Sequence, residues 1–394
     1  MRVLKLSSVF FISIICSIFI IEFILRLFFL EYSPEYKDIW IPHPVYGSYH
    51  TPSRESIYTG YGFKTKISSN SSGFREREFT FKSEGKKRII FLGDSFTLGA
   101  QVSVDKTFPR ILEKLLNNDT DVYECFNLAI QGHGTGQQYL ILKDYIDILK
   151  PDIVILCFFA NNDVWDNSYF LNYEYLLQGS KNRPLWKLVD SKGGGYELKL
   201  VPYDYDRVIR QRKQTYLTKS LWRKSYIRNF IYDIKYKLLY SFRAKKRLYK
   251  GILNNRVYYK DYEQGWDEAW QITKQLILKI RDLTIENKAS FIFVSIPDQI
   301  ELYNDRLKET IEINPYLQTA HLDLDKPINI LKPFLTENNI NFINLKDYFK
   351  KTDRTLYFKY DAHFNEQGHE FVAHIISYYL KNLSIINLKE INKI

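Results

Sequence analysis

Three side chains in this sequence supply an alcohol, an imidazole and a carboxylate, the groups needed for nucleophilic attack on a carbonyl. Ser95 stands in Gly93-Asp94-Ser95-Phe96, directly after the apolar run Ile89-Ile90-Phe91-Leu92. A serine at a strand-to-helix turn is held outward, where its backbone N–H also faces a substrate oxygen. Near the other end of the chain stands Asp361-Ala362-His363. Residues two apart on an extended segment point the same way, so Asp361 can bind one ring nitrogen of His363 and leave the other for a hydroxyl. Two more segments carry groups suited to a developing negative charge. Gly132, in Gln131-Gly132-His133-Gly134, lets a backbone N–H approach a ligand, and Ala160-Asn161-Asn162-Asp163 offers neutral amides. Taken alone, each of these reads as a helix cap or a turn residue.

The elements that must position them alternate along the chain. Apolar runs of strand length occupy 88–92, 122–128, 152–159, 290–296 and 341–345. Helical periodicity occupies 107–116, 137–149, 266–281, 327–335 and 365–380. In 137–149 it turns Leu140, Ile141, Tyr145 and Ile148 inward; in 365–380 it turns Phe371, Val372, Ile375, Ile376 and Tyr379 inward. Five strands alternating with helices predict an α/β fold, a three-layer sandwich around a five-stranded parallel sheet. In such a sheet, function gathers at the carboxyl ends of the strands, where Ser95, Gly132 and Asn162 fall.

With these blocks in this order, the chain resembles the SGNH/GDSL hydrolase family over roughly 88–380. The resemblance implies a flavodoxin-like hydrolase fold and acyl transfer. It assigns Ser95 as nucleophile, His363 as general base and Asp361 as its acid partner. Ser95, Gly132 and Asn162 become the oxyanion hole, with Asp94, Asn161 and His133 as candidate pocket residues. Phe96 replaces the leucine of the name-giving motif, and Ala160 stands where many members have glycine. Asn161 leaves the amide assignment open; Asn162 is preferred because Asp163 follows it. Arg75, in Asn70-Ser71-Ser72-Gly73-Phe74-Arg75, and the apolar N-terminus look like a bacterial membrane-anchored serine esterase/acyltransferase branch.

The chain opens on an apolar run at 6–25, long enough to span a bilayer, with Arg2 and Lys5 before it. It reads as an uncleaved signal anchor of the bacterial cytoplasmic (inner) membrane, single-pass, with the rest outside. Glu22 and Arg26 share a helix face there and can pair. Residues 31–87, rich in turn signals, read as an extended wrapping segment. The hydrolase domain is expected over 88–390, with an insertion at about 166–262. Within the insertion, alternating runs around Gly193-Gly194-Gly195 predict a β-hairpin. The stretch 207–250 is basic, with Asp233 its only acid, and Leu221, Ile227, Ile231 and Leu238 suggest helices.

Apolar residues make up 45% of 394, enough for a sizeable core, and the net charge is +11. No nucleic-acid motif accompanies that charge. Cys125 and Cys157 read as small core residues and no disulfide framework exists. His43, His50 and His321 read as surface or loop residues. No metal spacing and no phosphate loop appear, so neither a metal nor a cofactor is expected. Three functions compete. The first is an esterase removing O-acyl, notably acetyl, groups from a carbohydrate. The second is an O-acyltransferase modifying a cell-surface polysaccharide from a separate membrane-bound acyl donor protein. The third is an inert scaffold that binds glycan or membrane.

Overall fold

The computed structural model describes residues 2–29, 39–60, 62–119, 121–175, 182–191, 193–218, 225–238 and 255–382. Helix α1 (Arg2–Phe28) contains a 22-residue stretch, Ser7–Phe28, long and apolar enough to cross a membrane, and only 6% of its most apolar window is buried. Two hairpins follow: β1 (Trp40–His43) with β2 (Gly47–His50), and β3 (Glu55–Gly60) with β4 (Phe63–Ser68). The segment predicted as a plain extended wrap is therefore partly folded on itself. Its short runs alternate around Gly62, which lies at φ +98, a hairpin pattern masked by the density of turn residues. Tyr46, Tyr49 and Phe74 of this segment are buried in the main core.

The central sheet is built from β5 (Lys87–Leu92), β6 (Tyr123–Asn127), β7 (Ile153–Phe158), β10 (Ser290–Ser295) and β11 (Asn341–Asn344). Its order is β11-β10-β7-β5-β6 and every pairing is parallel. Strands buried on both faces read as continuous apolar runs, and β7 is buried at every position. The two-residue period splits the core. Ile90, Leu92, Val154 and Leu156 face one side, where α4 (Thr135–Leu149) and the helix Trp266–Glu286 cover them. Ile89, Phe91, Ile155 and Cys157 face the other, under α3 (Phe108–Leu116) and the helix Glu366–Asn382. Cys125 and Cys157 are fully buried free thiols, as expected.

The bounds of the expected strands and helices fall within five residues of expectation, and the helices Ala160–Asn167 and Asn304–Ile313 add to them. Ile148 is 56% exposed. It lies two positions beyond buried Ile146, about 200° round the helix, and Leu149 takes the inward place. His50 is fully buried, its Nδ1 3.2 Å from the Gly73 carbonyl, because the wrap closes over it. The insertion returns to the core at Val257 and Tyr258, both fully buried. Its predicted hairpin forms as β8 (Leu185–Asp190) with β9 (Tyr196–Val201). Its basic stretch carries α6 (Tyr205–Thr218) and α7 (Tyr226–Leu238); Leu221 lies outside the described residues.

Candidate active site

Gly93 lets β5 turn sharply into α2 (Ser95–Leu98): a Cβ there would lie 2.2 Å from Thr97 Oγ1. Asp94 caps this short helix by accepting the Phe96 N–H at 2.9 Å. The far end is held by Arg75, which is buried and donates to the carbonyls of Leu98 at 3.1 Å, Gly99 at 2.7 Å and Val102 at 2.7 Å. The turn carrying Ser95 is thus fixed at both ends. Phe96 packs its ring on Phe159, Phe364 and the His363 imidazole, with centroids 4.5, 5.0 and 4.9 Å away. The larger side chain in place of leucine forms a floor under the histidine.

His363 comes from the loop before the last helix. That loop is pinned by Phe358 N–H to the His363 carbonyl at 3.0 Å and by the Asn365 amide to the Thr355 carbonyl at 2.7 Å. His363 Nε2 lies 2.7 Å from Ser95 Oγ, and Nδ1 lies 2.5 Å from Asp361 Oδ1. Asp361 also accepts the His363 backbone N–H at 3.1 Å. A carboxylate on Nδ1 fixes the proton there and leaves Nε2 as the acceptor facing the serine. The imidazole and the carboxyl are 20% and 21% exposed, so the pair reaches solvent. Burial by itself lowers the His363 pKa; Asp361, with Asp94 and Asp298 behind it, more than offsets this and holds it above the usual histidine value.

The Asn162 amide donates to Asp94 Oδ2 at 2.9 Å and has a second N–H left over. Asn161 is buried and uses both its protons, on Asn255 Oδ1 at 2.8 Å and Asp298 Oδ2 at 2.9 Å. Only Asn162 therefore has an amide proton to spare. Gly132 sits at φ +72 with open space where a side chain would be. Among the described residues, neither the Ser95 nor the Gly132 backbone N–H has a hydrogen-bond partner. The arrangement offers an alcohol, a base and three donors at the ends of β5, β6 and β7.

No protein-family model matches the chain. Over 81 residues it is 32% identical to a protein named Arylesterase from Vibrio mimicus, a stretch that is 20% of this chain and 40% of that one. The chain thus spans less than half the length of that relative. Among solved structures it is similar to an acetyl xylan esterase, AlAXEase, at 16% identity and TM-score 0.38, over 74% of this chain and 99% of that one. A catalytic mutant of an acetylxylan esterase from Geobacillus stearothermophilus gives 17%, 0.36, 79% and 97%. The lipase/acylhydrolase from Enterococcus faecalis gives 12%, 0.38, 75% and 96%. What the structure itself shows is an α/β fold, a five-stranded parallel sheet flanked by helices, with Ser95, Gly132 and Asn162 at the ends of its strands.

The three candidate pocket residues lie deeper than expected. Asp94 and His133 are fully buried and Asn161 is 7% exposed. His133 Nε2 lies 2.6 Å from the Ser48 carbonyl, so this ring ties the β6 end to the wrapping hairpin and lines no open surface. Burial pushes Asp94 up, against the Asn162 amide and the Phe96 N–H, and pushes Asp163 well up, with Asp94 adding to it. Asp298 is the residue that sequence reasoning missed. It is buried at the end of β10, receives Asn161 and caps the turn at Ile300. Asp298-Gln299-Ile300-Glu301 after a strand is a capping box, a signal open to reading. Among the described residues no cluster of His, Cys, Asp and Glu fits a metal ion. A cavity of about 660 Å³ is lined by Tyr303, Arg306, Tyr357, Phe358, Lys359 and Tyr360, among others, on the segment that leads into Asp361.

Proposed function

We propose that this chain is a serine-dependent ester hydrolase of the SGNH type that removes O-acyl, notably acetyl, groups from a carbohydrate. Its N-terminal helix anchors it in the bacterial cytoplasmic membrane and the hydrolase domain lies outside. The observation that carries this reading is the run of contacts from Ser95 Oγ to His363 Nε2, 2.7 Å, and from Nδ1 to Asp361, 2.5 Å. Ser95 attacks the ester carbonyl while His363 takes its proton, and the carbonyl electrons move onto oxygen. The N–H groups of Ser95, Gly132 and Asn162 receive that oxyanion. The imidazolium then protonates the leaving sugar oxygen as the ester C–O bond breaks, which frees the sugar as its hydroxyl. Water, deprotonated by His363, attacks the acyl-serine and releases the acid and free Ser95. Asp361 stays ionised and holds the tautomer.

A cavity lined by Tyr303, Phe358 and Tyr360, with Gln299, Thr355 and the Arg306–Glu309 pair, mixes aromatic and hydrogen-bonding side chains of the kind that suits a hydroxyl-rich pyranose. The test has two parts. A fluorophosphonate probe is expected to label the wild-type protein and not Ser95→Ala; labelling that persists places the nucleophile elsewhere. Mass spectrometry of cell-surface glycans is expected to show more acetyl in cells carrying Ser95→Ala. Less acetyl in those cells would replace hydrolysis by transfer to the glycan.

A further inference from the structure

Glu22 is an acid within an apolar helix, and the structure supplies partners for it. Arg26, one turn on, lies 2.8 Å from its carboxylate. The backbone N–H groups of Tyr226 and Ile227 donate to it, each at 3.0 Å. These residues open α7, and the first N–H groups of a helix have no partner within it. The carboxylate therefore caps α7 and meets the positive end of its dipole. Leu25 packs on Tyr226, and the Arg26 guanidinium lies 5.0 Å from the Tyr226 ring. Ile227 and Phe230 pack against the same pair. All these contacts come from the first two turns of α7, so the two helices cross rather than run side by side.

Helix α7 has one apolar face. Ile227, Phe230, Ile231 and Ile234 recur at three- and four-residue spacing, flanked by Arg228 and Lys235. Ile231 and Ile234 are 44% and 40% exposed, beyond the contact with α1. Neighbouring surface on α1 is also bare: Phe19, Phe23 and Leu27 are 70%, 61% and 58% exposed. A helix so apolar and so little covered has hydrocarbon as its surroundings, and α7 starts from its side. From Glu22 to Phe28, the end of the apolar stretch, the rise is about 9 Å at 1.5 Å per residue. Amphipathic helices in a membrane interface sink about 5–10 Å into the boundary between headgroups and acyl chains. The depth of the cap and the depth of an interfacial helix agree.

We propose that α7 is a second membrane contact, an interfacial helix held at headgroup depth by Glu22, with Ile231 and Ile234 entering the leaflet that α1 leaves. Its occupant is the lipid of that same bilayer, with Arg228 and Lys235 placed to meet anionic headgroups. The proposal goes beyond the ester chemistry and does not depend on it. It gives the domain two points of attachment and so restricts its tilt above the membrane.

The test uses the full chain in nanodiscs of phosphatidylcholine and phosphatidylglycerol. Ile234→Cys in a Cys16→Ser background is labelled with an environment-sensitive dye; Cys125 and Cys157 are buried and stay unlabelled. Lipids brominated on the acyl chain are expected to quench this dye several-fold more than aqueous iodide does. A dye at Gly193→Cys, on the open tip of the β8–β9 hairpin, is expected to show the reverse. Adding Glu22→Gln is expected to cut lipid quenching at position 234 several-fold; unchanged quenching would remove Glu22 from the arrangement. Iodide quenching at 234 equal to that at 193 overturns the proposal. So does protection that appears only in native membranes containing other proteins, since the face would then meet a protein. A diazirine carried on the lipid acyl chain covers any variant that does not fold. In the unmodified chain it is expected to mark peptides from 226–238, and their absence among the products also overturns the proposal.

Discussion

Replacing Asn162 by alanine separates the observed task of its amide, the bond to Asp94, from the proposed one, binding an oxyanion. Its Nδ2 donates to buried Asp94 at 2.9 Å, and its second proton is the one proposed to meet an oxyanion. Loss of one oxyanion donor costs about 3–4 kcal/mol in the transition state, a fall in kcat on the order of 100- to 1000-fold. Loss of the donor to Asp94 leaves a buried carboxyl under-satisfied and costs about 1–3 kcal/mol of folding stability. That second cost lowers the melting temperature and leaves the rate per folded molecule alone. Asn161→Ala is the matched control, because it removes two buried hydrogen bonds, to Asn255 and Asp298, with no proton free for substrate. The assay is kcat on a chromogenic acetate ester together with thermal unfolding. Asn162→Ala is expected to lose both activity and stability, and Asn161→Ala chiefly stability. A folded Asn162→Ala within about tenfold of wild-type kcat, or a larger loss in Asn161→Ala, refutes the assignment.

Asp361→Asn removes the carboxylate that raises the His363 pKa, so the acidic limb of kcat/KM is expected to move to lower pH, while the rate falls on the order of 10⁴-fold as the tautomer is lost; a limb that stays or moves up contradicts this. Arg75→Lys replaces a fork bonded to three buried carbonyls by a single ammonium. It is expected to lose about 3 kcal/mol or more of stability in a denaturant melt, at about 1–3 kcal/mol per unsatisfied group, and to slow Ser95 labelling; an unchanged melt rules out the clamp. Burial lowers the pKa of His133 to about 3, His369 to about 3 and His50 to about 4. The unfolded chain takes these protons near pH 6.5, so stability from these groups is present above that pH and is lost as pH falls toward the folded values. In His133→Gln the slope of stability against pH between about 4 and 5.5 is expected to shrink by about 1.4 kcal/mol per unit, and an unchanged slope would mean that His133 is charged in the folded protein.

The core sheet was legible because its strands are buried on both faces and must be apolar along their length. Ile153–Phe158 shows this most clearly, with every position buried. The Asp361-x-His363 pair was legible because a two-residue spacing on extended chain decides direction. Asn162 is preferred over Asn161 in the sequence because Asp163 follows it, but the physical reason why Asn162 keeps a free proton is not legible there, since it lies in what folding brings to each amide. Asn255 and Asp298 come from other parts of the chain and consume the protons of Asn161. His50 and His133 misled for the same reason: their burial depends on the wrap closing at Ser48 and Gly73. The hairpins β1–β4 were hidden because the strands are short: β3 and β4 have exposed positions, and β2 is buried through Gly47, Tyr49 and His50, not through an aliphatic run.

Asp94 ties the parts of the site together. Its carboxyl caps the turn that presents Ser95, and its other oxygen receives the amide proposed to bind the oxyanion. Its charge also acts on the His363 ring, alongside those of Asp361 and Asp298. Proton transfer from Ser95 creates an imidazolium and an oxyanion together, and these need opposite surroundings. Three carboxyl groups on the His363 side favour the cation, while the N–H groups of Ser95, Gly132 and Asn162 are the donors proposed for the anion. Such fixed dipoles need no reorganisation as charge develops. Burying Asp94 opposes its own ionisation, and the Asn162 amide and Phe96 N–H offset part of that cost. The same bonds that favour the ionised form of Asp94 thus hold the turn of Ser95 and the Asn162 amide, so the aspartate of the Gly-Asp-Ser turn acts through its neighbours.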